Sequence, residues 1–255
     1  MTKVEPILAG LIERQIVSRI WNHDHTVWKP DPLEIDNRLG WLGISSVMQL
    51  HIGELEQFAN QVQVEGFRDV VLLGMGGSSL GPDVINQVLG SAPGYPKLTI
   101  LDSVIPEKVK LVSDSIDYSK TLFIISSKSG GTIEPNVLYQ YFKAGMQKRF
   151  GDQYGNSFVA ITDSGTQLEN LARSQGFRRI FTNPSDVGGR FSVLSYVGLV
   201  PAALTGLDIR LILRRAQEMS EICRTTEDVY SNKGLLLGSL LASHALSGVD
   251  KLTFL

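Results

Sequence analysis

Several things this sequence has little of would each define a class of function. It holds one cysteine, Cys223, so it can form no internal disulfide and build no thiolate cluster. That predicts a reducing compartment. It has no surplus of either charge: 24 Lys and Arg stand against 26 Asp and Glu, a net charge of −2. No segment concentrates the basic residues, which argues against nucleic acid and against an anionic membrane surface as partners. No run of about 18 apolar residues is present to cross a bilayer. Lys3, Glu5, Glu13, Arg14 and Arg19 interrupt any signal-peptide core in the first twenty residues. His23, His25 and His51 stand at no spacing that suits a metal, so no metal is assigned, and His244 reads as a partly buried structural side chain. These absences together predict a soluble, cytoplasmic chain. What is present is 255 residues, 43% of them hydrophobic, enough for one or two domains with a sizeable core.

Ile7, Leu8, Leu11, Ile12, Gln15, Ile16 and Ile20 recur at helical spacing, predicting one amphipathic helix over 7–20. A loop with Pro30 and Pro32 follows, then more helical pattern through Leu55, Phe58 and Val62. From there short apolar runs alternate with helical ones. The predicted strands are 70–73, 98–101, 122–126, 158–161 and 179–181, and the helices between them are 82–89, 106–112, 135–148 and 167–174. The strands are continuous Val/Ile/Leu runs, as expected when both faces of a sheet are covered. Strict alternation of strand and helix implies an α/β fold with a parallel, doubly wound five-stranded sheet and ligands at the carboxyl ends of its strands. After Arg190 the pattern becomes helical over 192–204, 208–223 and 229–246, with Asp208 as an N-cap. Residues 251–255 read as a single buried strand, the first of a second sheet that is missing here. The expected organisation is therefore an N-terminal helical segment (1–47), a ligand-binding domain (48–205), and helices plus a first strand of a truncated second domain (206–255).

Three motifs could carry chemistry. In Gly74-Met75-Gly76-Gly77-Ser78-Ser79-Leu80-Gly81 an apolar strand runs through a glycine-rich turn into a helix, a place where backbone N–H groups meet an anion. Ser78 and Ser79 are placed to meet an oxyanion. A tight turn with serine caps is the plain alternative. A dinucleotide fingerprint is another, helped by Asp102 at the end of the next strand but opposed by Ser79 at the third glycine position. The second motif, Ser126-Ser127-Lys128-Ser129-Gly130-Gly131-Thr132-Ile133-Glu134, repeats the strand–loop–helix plan with three hydroxyl donors and a backbone nest. It lacks the Gly-x₄-Gly-Lys spacing of a nucleotide loop. Two such loops at strand carboxyl ends suggest one phosphorylated small molecule bound across the sheet edge. The third, Asn183-Pro184-Ser185-Asp186-Val187-Gly188-Gly189-Arg190-Phe191-Ser192, presents a forked, permanently charged donor just before a helix. A surface ion pair is the plain role for Arg190.

Taken together the three motifs resemble the phosphoglucose isomerase family, whose sugar-isomerase (SIS) domain is a parallel five-stranded α/β sandwich. Residues 74–81 look like its first phosphate-side loop, 127–132 like its main phosphate loop, and 186–192 like its Gly-Gly-Arg-[Phe/Tyr]-Ser signature. The resemblance covers essentially the whole chain and implies aldose–ketose isomerisation of glucose 6-phosphate and fructose 6-phosphate through a cis-enediol, with no organic cofactor. It implies that Gly77, Ser78, Ser127, Ser129 and Thr132 hold the sugar phosphate, with Lys128 contributing mainly backbone. It further implies that Glu134 and Gly189 line the pocket and that Arg190 stabilises the enediolate. Gly131 departs from the family, where many members have threonine. The family's base, a glutamate in a Gln-x-Gly-[Val/Ile]-Glu segment, has no counterpart in 1–255, nor do its ring-opening histidine and its C-terminal lysine. The implied protein is a homodimer at full length, and this chain alone a poor isomerase. A non-catalytic SIS module that senses a sugar phosphate is the rival reading. It has little need of the Gly-Gly-Arg-Phe-Ser run. A nicotinamide dehydrogenase is disfavoured by the glycine spacing.

Overall fold

The structure is a computed structural model that describes residues 4–226, 228 and 230–253. Five strands carry the fold: β1 (Asp69–Gly74), β2 (Lys97–Leu101), β3 (Thr121–Ser126), β4 (Phe158–Asp163) and β5 (Arg179–Asn183). All neighbouring pairs are parallel, in the order β2-β1-β3-β4-β5. Every residue of β3 is buried. A central parallel strand has no solvent face, which is why its sequence is an unbroken apolar run rather than an alternating one. Successive side chains still go to opposite layers. Val70, Leu72, Leu122, Ile124, Val159 and Ile161 join one core, while Val71, Leu73, Phe123, Ile125, Phe158 and Ala160 join the other.

Helices cover both faces. The first core packs against α3 (Ile44–Gln49), α4 (Ile52–Val64), α9 (Tyr196–Leu204) and α10 (Ile209–Arg224). The second packs against α6 (Pro106–Ser115), α7 (Ile133–Phe150) and α8 (Gln167–Ser174). After β1 the chain crosses through α5 (Leu80–Leu89) outward to β2, and from β2 it returns past β1 to β3. The winding direction therefore reverses between β1 and β3. In open parallel sheets the loops on either side of such a reversal splay apart and leave a crevice at the carboxyl edge.

The structure departs from the sequence expectations at the two ends. The helix expected over 7–20 is two helices, α1 (Val4–Glu13) and α2 (Ile16–Trp21), because Gln15 takes a left-handed conformation at φ 51°. The pattern from 192 opens with a 3₁₀ turn, Gly189–Leu194, before α9 begins. The last helix, α11 (Lys233–Leu246), starts at Lys233, capped by Asn232, and not at residue 229, which lies outside the described residues. His244 is exposed on it, not partly buried. Residues 251–253 form no strand and are exposed, not buried, and residues 254 and 255 lie outside the described residues. Asp208 does cap α10, accepting the Leu211 N–H at 2.9 Å. No helix of the described residues is long and apolar enough to cross a membrane.

Candidate active site

The loops after β1 and β3 leave the same sheet edge side by side, since Gly74 and Ser126 are partners in the β1–β3 ladder. Each leads into a helix whose N-cap hydroxyl makes no cap bond to its own helix: Ser79 for α5 and Thr132 for α7. Four other helices that begin with a hydroxyl, carboxylate or amide residue behave differently. Thr166, Ser195, Asp208 and Asn232 all accept an N–H from the helix they begin. At α7, an 18-residue helix, the first-turn N–H groups at the positive end of the helix dipole are left without a side-chain cap.

In the loop after β3, hydrogen bonds orient the hydroxyls. Ser127 is 3% exposed, its N–H is spent on the Ile161 carbonyl, and its Oγ donates to Thr132 Oγ1 at 3.1 Å. Accepting that proton leaves the Thr132 hydroxyl to donate outward. Ser129 is exposed and its Oγ accepts the Gly131 N–H at 3.3 Å, which likewise directs its own proton away from the loop. Gly130 turns the loop at φ +67°, where a Cβ would lie 2.8 Å from the Leu168 N. At Gly131 a Cβ would meet nothing within 4 Å. Glu134 sits half-buried in the first turn of α7.

The glycine loop after β1 is a 3₁₀ turn, Gly76–Ser78. Its two serines part company. Ser79 is 1% exposed and donates its hydroxyl to the Gly76 carbonyl at 3.2 Å, so it faces the protein. Ser78 stays half-buried at the rim. Gly77 is where the third loop docks: a Cβ there would lie 2.3 Å from the Gly189 carbonyl oxygen. Ser192 fastens the same contact, donating to Gly189 O at 2.7 Å and reaching Gly77 O at 3.4 Å. Arg190 is therefore held over the glycine loop. It is exposed and takes part in none of the ion pairs among the described residues, so the surface-pair role is not realised. Phe191 stacks on Trp41 at 5.4 Å, and the Gly40 N–H donates to Asp186 O at 3.0 Å, which brings the N-terminal segment against this loop.

One residue escapes the sequence reading, and a second stands at the head of the third motif with no role assigned to it. Asp163, which ends β4, accepts a short hydrogen bond from Lys128 Nζ, and the same ammonium donates to Ser185 O at 2.9 Å. The Lys128 carbonyl meanwhile accepts from the Asp163 N–H at 3.1 Å. Burial raises the Asp163 carboxyl above the usual aspartate range, with the Lys128 ammonium opposing. Asn183, which ends β5, is Asp163's partner in the β4–β5 ladder and is buried, while Asp163 is half-buried. The available signal was a polar residue closing an otherwise apolar strand, and the expected strands stopped at 161 and 181, just short of both. Among the described residues no three His, Cys, Asp or Glu side chains converge on a point that could hold a metal ion.

Residues 53–244 match the family model described as phosphoglucose isomerase. A glucose-6-phosphate isomerase from Carboxydothermus hydrogenoformans is 34% identical over 212 residues, covering 79% of this chain and 45% of the relative. A hypothetical protein of Thermus thermophilus superposes with a TM-score of 0.80 at 27% identity, over 95% of this chain and 56% of that one. A glucose-6-phosphate isomerase of Chlamydia trachomatis shares the fold, with a TM-score of 0.76 at 21% identity, over 91% and 49%. The chain thus spans less than half the length of the curated relative it matches. With its motifs at one sheet edge and three-quarters of its length inside the family's boundaries, this chain belongs to the phosphoglucose isomerase family.

Proposed function

We propose that the three loops form the sugar-phosphate clamp of a glucose-6-phosphate isomerase. The convergence of the hydroxyl loop, the glycine loop and the Gly189-Arg190 turn at one crevice carries this reading. Thr132, Ser129 and Ser78 donate to the phosphate oxygens, and Ser127 acts through the Thr132 hydroxyl it orients, a chain in which each hydrogen bond strengthens the next. Backbone N–H groups of Lys128, Gly77 and the first turn of α7 supply the remaining donors. Gly189 and Glu134 line the crevice. Arg190 lies at the far end, where its guanidinium stabilises charge developing on the cis-enediolate.

The reaction moves a proton between C2 and C1 of the open-chain sugar. Holding the phosphate several bonds away fixes those carbons against the proton-transfer base, so binding energy far from the reaction centre becomes rate. This chemistry calls for no organic cofactor. The chain supplies clamp and arginine. The base of the family resemblance has no counterpart within 1–255. On this reading the working form is a cytoplasmic homodimer of a longer protein.

Calorimetric titration tests the clamp. Glucose 6-phosphate should bind and glucose should not. Thr132→Ala should weaken the phosphorylated sugar about tenfold, the worth of one hydrogen bond to a charged group, and Ser127→Ala by less. Equal affinity for glucose and glucose 6-phosphate would sink the assignment.

A further inference from the structure

Lys128, Asp163 and Ser185 belong to three successive crossings of the sheet edge: the loop after β3, the end of β4 and the loop after β5. One ammonium joins them, donating to the Asp163 carboxylate and to Ser185 O at 2.9 Å. Ser185 lies five residues before Arg190, so the loop that begins the hydroxyl site is tied to the loop that carries the guanidinium. Beneath this link Asp163 and Asn183 line a cavity of about 10 Å³ together with Ser78 and Gly189. Asp163 Oδ1 and Asn183 Oδ1 are both buried and accept no hydrogen bond from the described residues. The cavity has room for about one water.

Resting on the sugar-phosphate reading, we propose that Asp163 is a positioning residue. By holding Lys128 across to Ser185 it keeps the hydroxyl loop in register with the Gly189-Arg190 turn. Asp163 touches no ligand on this account. Its effect is felt by a ligand that spans both loops and not by one seated on the hydroxyl loop alone.

Asp163→Asn keeps the shape and removes the charge. Amide hydrogen exchange, followed by mass spectrometry without ligand, should speed up about tenfold in both 127–132 and 184–191, the size of one charge-assisted hydrogen bond. Asp163→Glu, which keeps the charge, should recover most of that protection. Acceleration confined to 160–166, or none, overturns the proposal. Titration supplies the second readout. Inorganic phosphate should bind the variant within about twofold of the parent chain, while 6-phosphogluconate, which reaches both loops, should weaken about tenfold. Equal loss for both ligands means a merely structural role and overturns the proposal, as does no loss for either. If the parent chain binds neither ligand yet the two loops still loosen together, the sugar-phosphate reading fails and the link stands.

Discussion

Gly77→Ala adds one methyl group at the point where two of the site loops touch. Its Cβ would lie 2.3 Å from the Gly189 carbonyl oxygen, 2.6 Å from the Gly189 carbonyl carbon and 3.2 Å from Arg190 N. Ordinary contact needs about 3.5 Å, so the loops must separate by about 1 Å. All three obstacles are backbone, which cannot swing aside as the tip of a side chain can. Overpacking of this kind costs about 1–3 kcal/mol. For a chain of this size that lowers the melting temperature by about 2–12 °C. The displacement falls on Gly189 and Arg190, so a ligand spanning both loops should suffer more than the fold does. Two control variants separate the causes. Gly76→Ala meets nothing within 4 Å but sits at φ +54°, so it should show only left-handed strain of about 1–2 kcal/mol. Gly131→Ala has neither obstacle nor positive φ and should melt with the parent chain. Scanning calorimetry and 6-phosphogluconate titration on all three give the comparison. If Gly77→Ala melts with Gly131→Ala and binds as the parent does, the contact between the loops is not what holds the site together.

Glu169 is held below the usual glutamate range, first by Arg173 and then by the Gly165 N–H at 2.6 Å. A carboxyl lowered by folding stabilises above its ordinary pKa, and that contribution is lost as pH falls through the folded value. Glu169→Gln should therefore lower the urea midpoint at pH 7, with the gap to the parent closing as the pH falls below about 4. In a coupled assay of fructose 6-phosphate conversion the chain should turn over about 10²–10⁴-fold below an ordinary enzyme, the usual worth of a general base. Turnover near 10 s⁻¹, a typical enzymatic value, would instead mean a base within 1–255. Glu134→Gln would then be the deciding variant.

The sheet was legible because burial on both faces leaves nothing to alternate: the apolar runs through Val70, Leu122 and Phe158 are strands in the structure. The crevice loops were legible for a related reason. Glycine and hydroxyl residues immediately after an apolar run have few structural uses besides a turn into a helix. What escaped depends on partners distant in sequence. Nothing near Lys128 announces Asp163, 35 positions on, and nothing near Ser79 reveals that its hydroxyl turns inward to Gly76. The left-handed Gln15 breaks a helix that hydrophobic periodicity alone runs straight through. The terminal run at 251–253 has strand-like composition but forms no strand, and a strand is defined by its partner as much as by its residues.

The reversal of winding between β1 and β3 also sets an order in time. Asp69 pairs with Lys97 on one side, 28 residues along the chain, and with Thr121 on the other, 52 residues along. Nearly doubling the loop adds only about 0.6 kcal/mol of closure entropy, but the second pairing also waits for the ribosome to deliver β3. Until then β1 shows an unpaired edge with Val70, Val71, Leu72 and Leu73 in sequence, a template for pairing with the wrong chain. The hydroxyl and glycine loops flank that seam, so they reach their final spacing only when it closes. Slow translation through residues 75–120 should therefore favour aggregation, and the same pause well after residue 183, once all five strands are made, should be harmless.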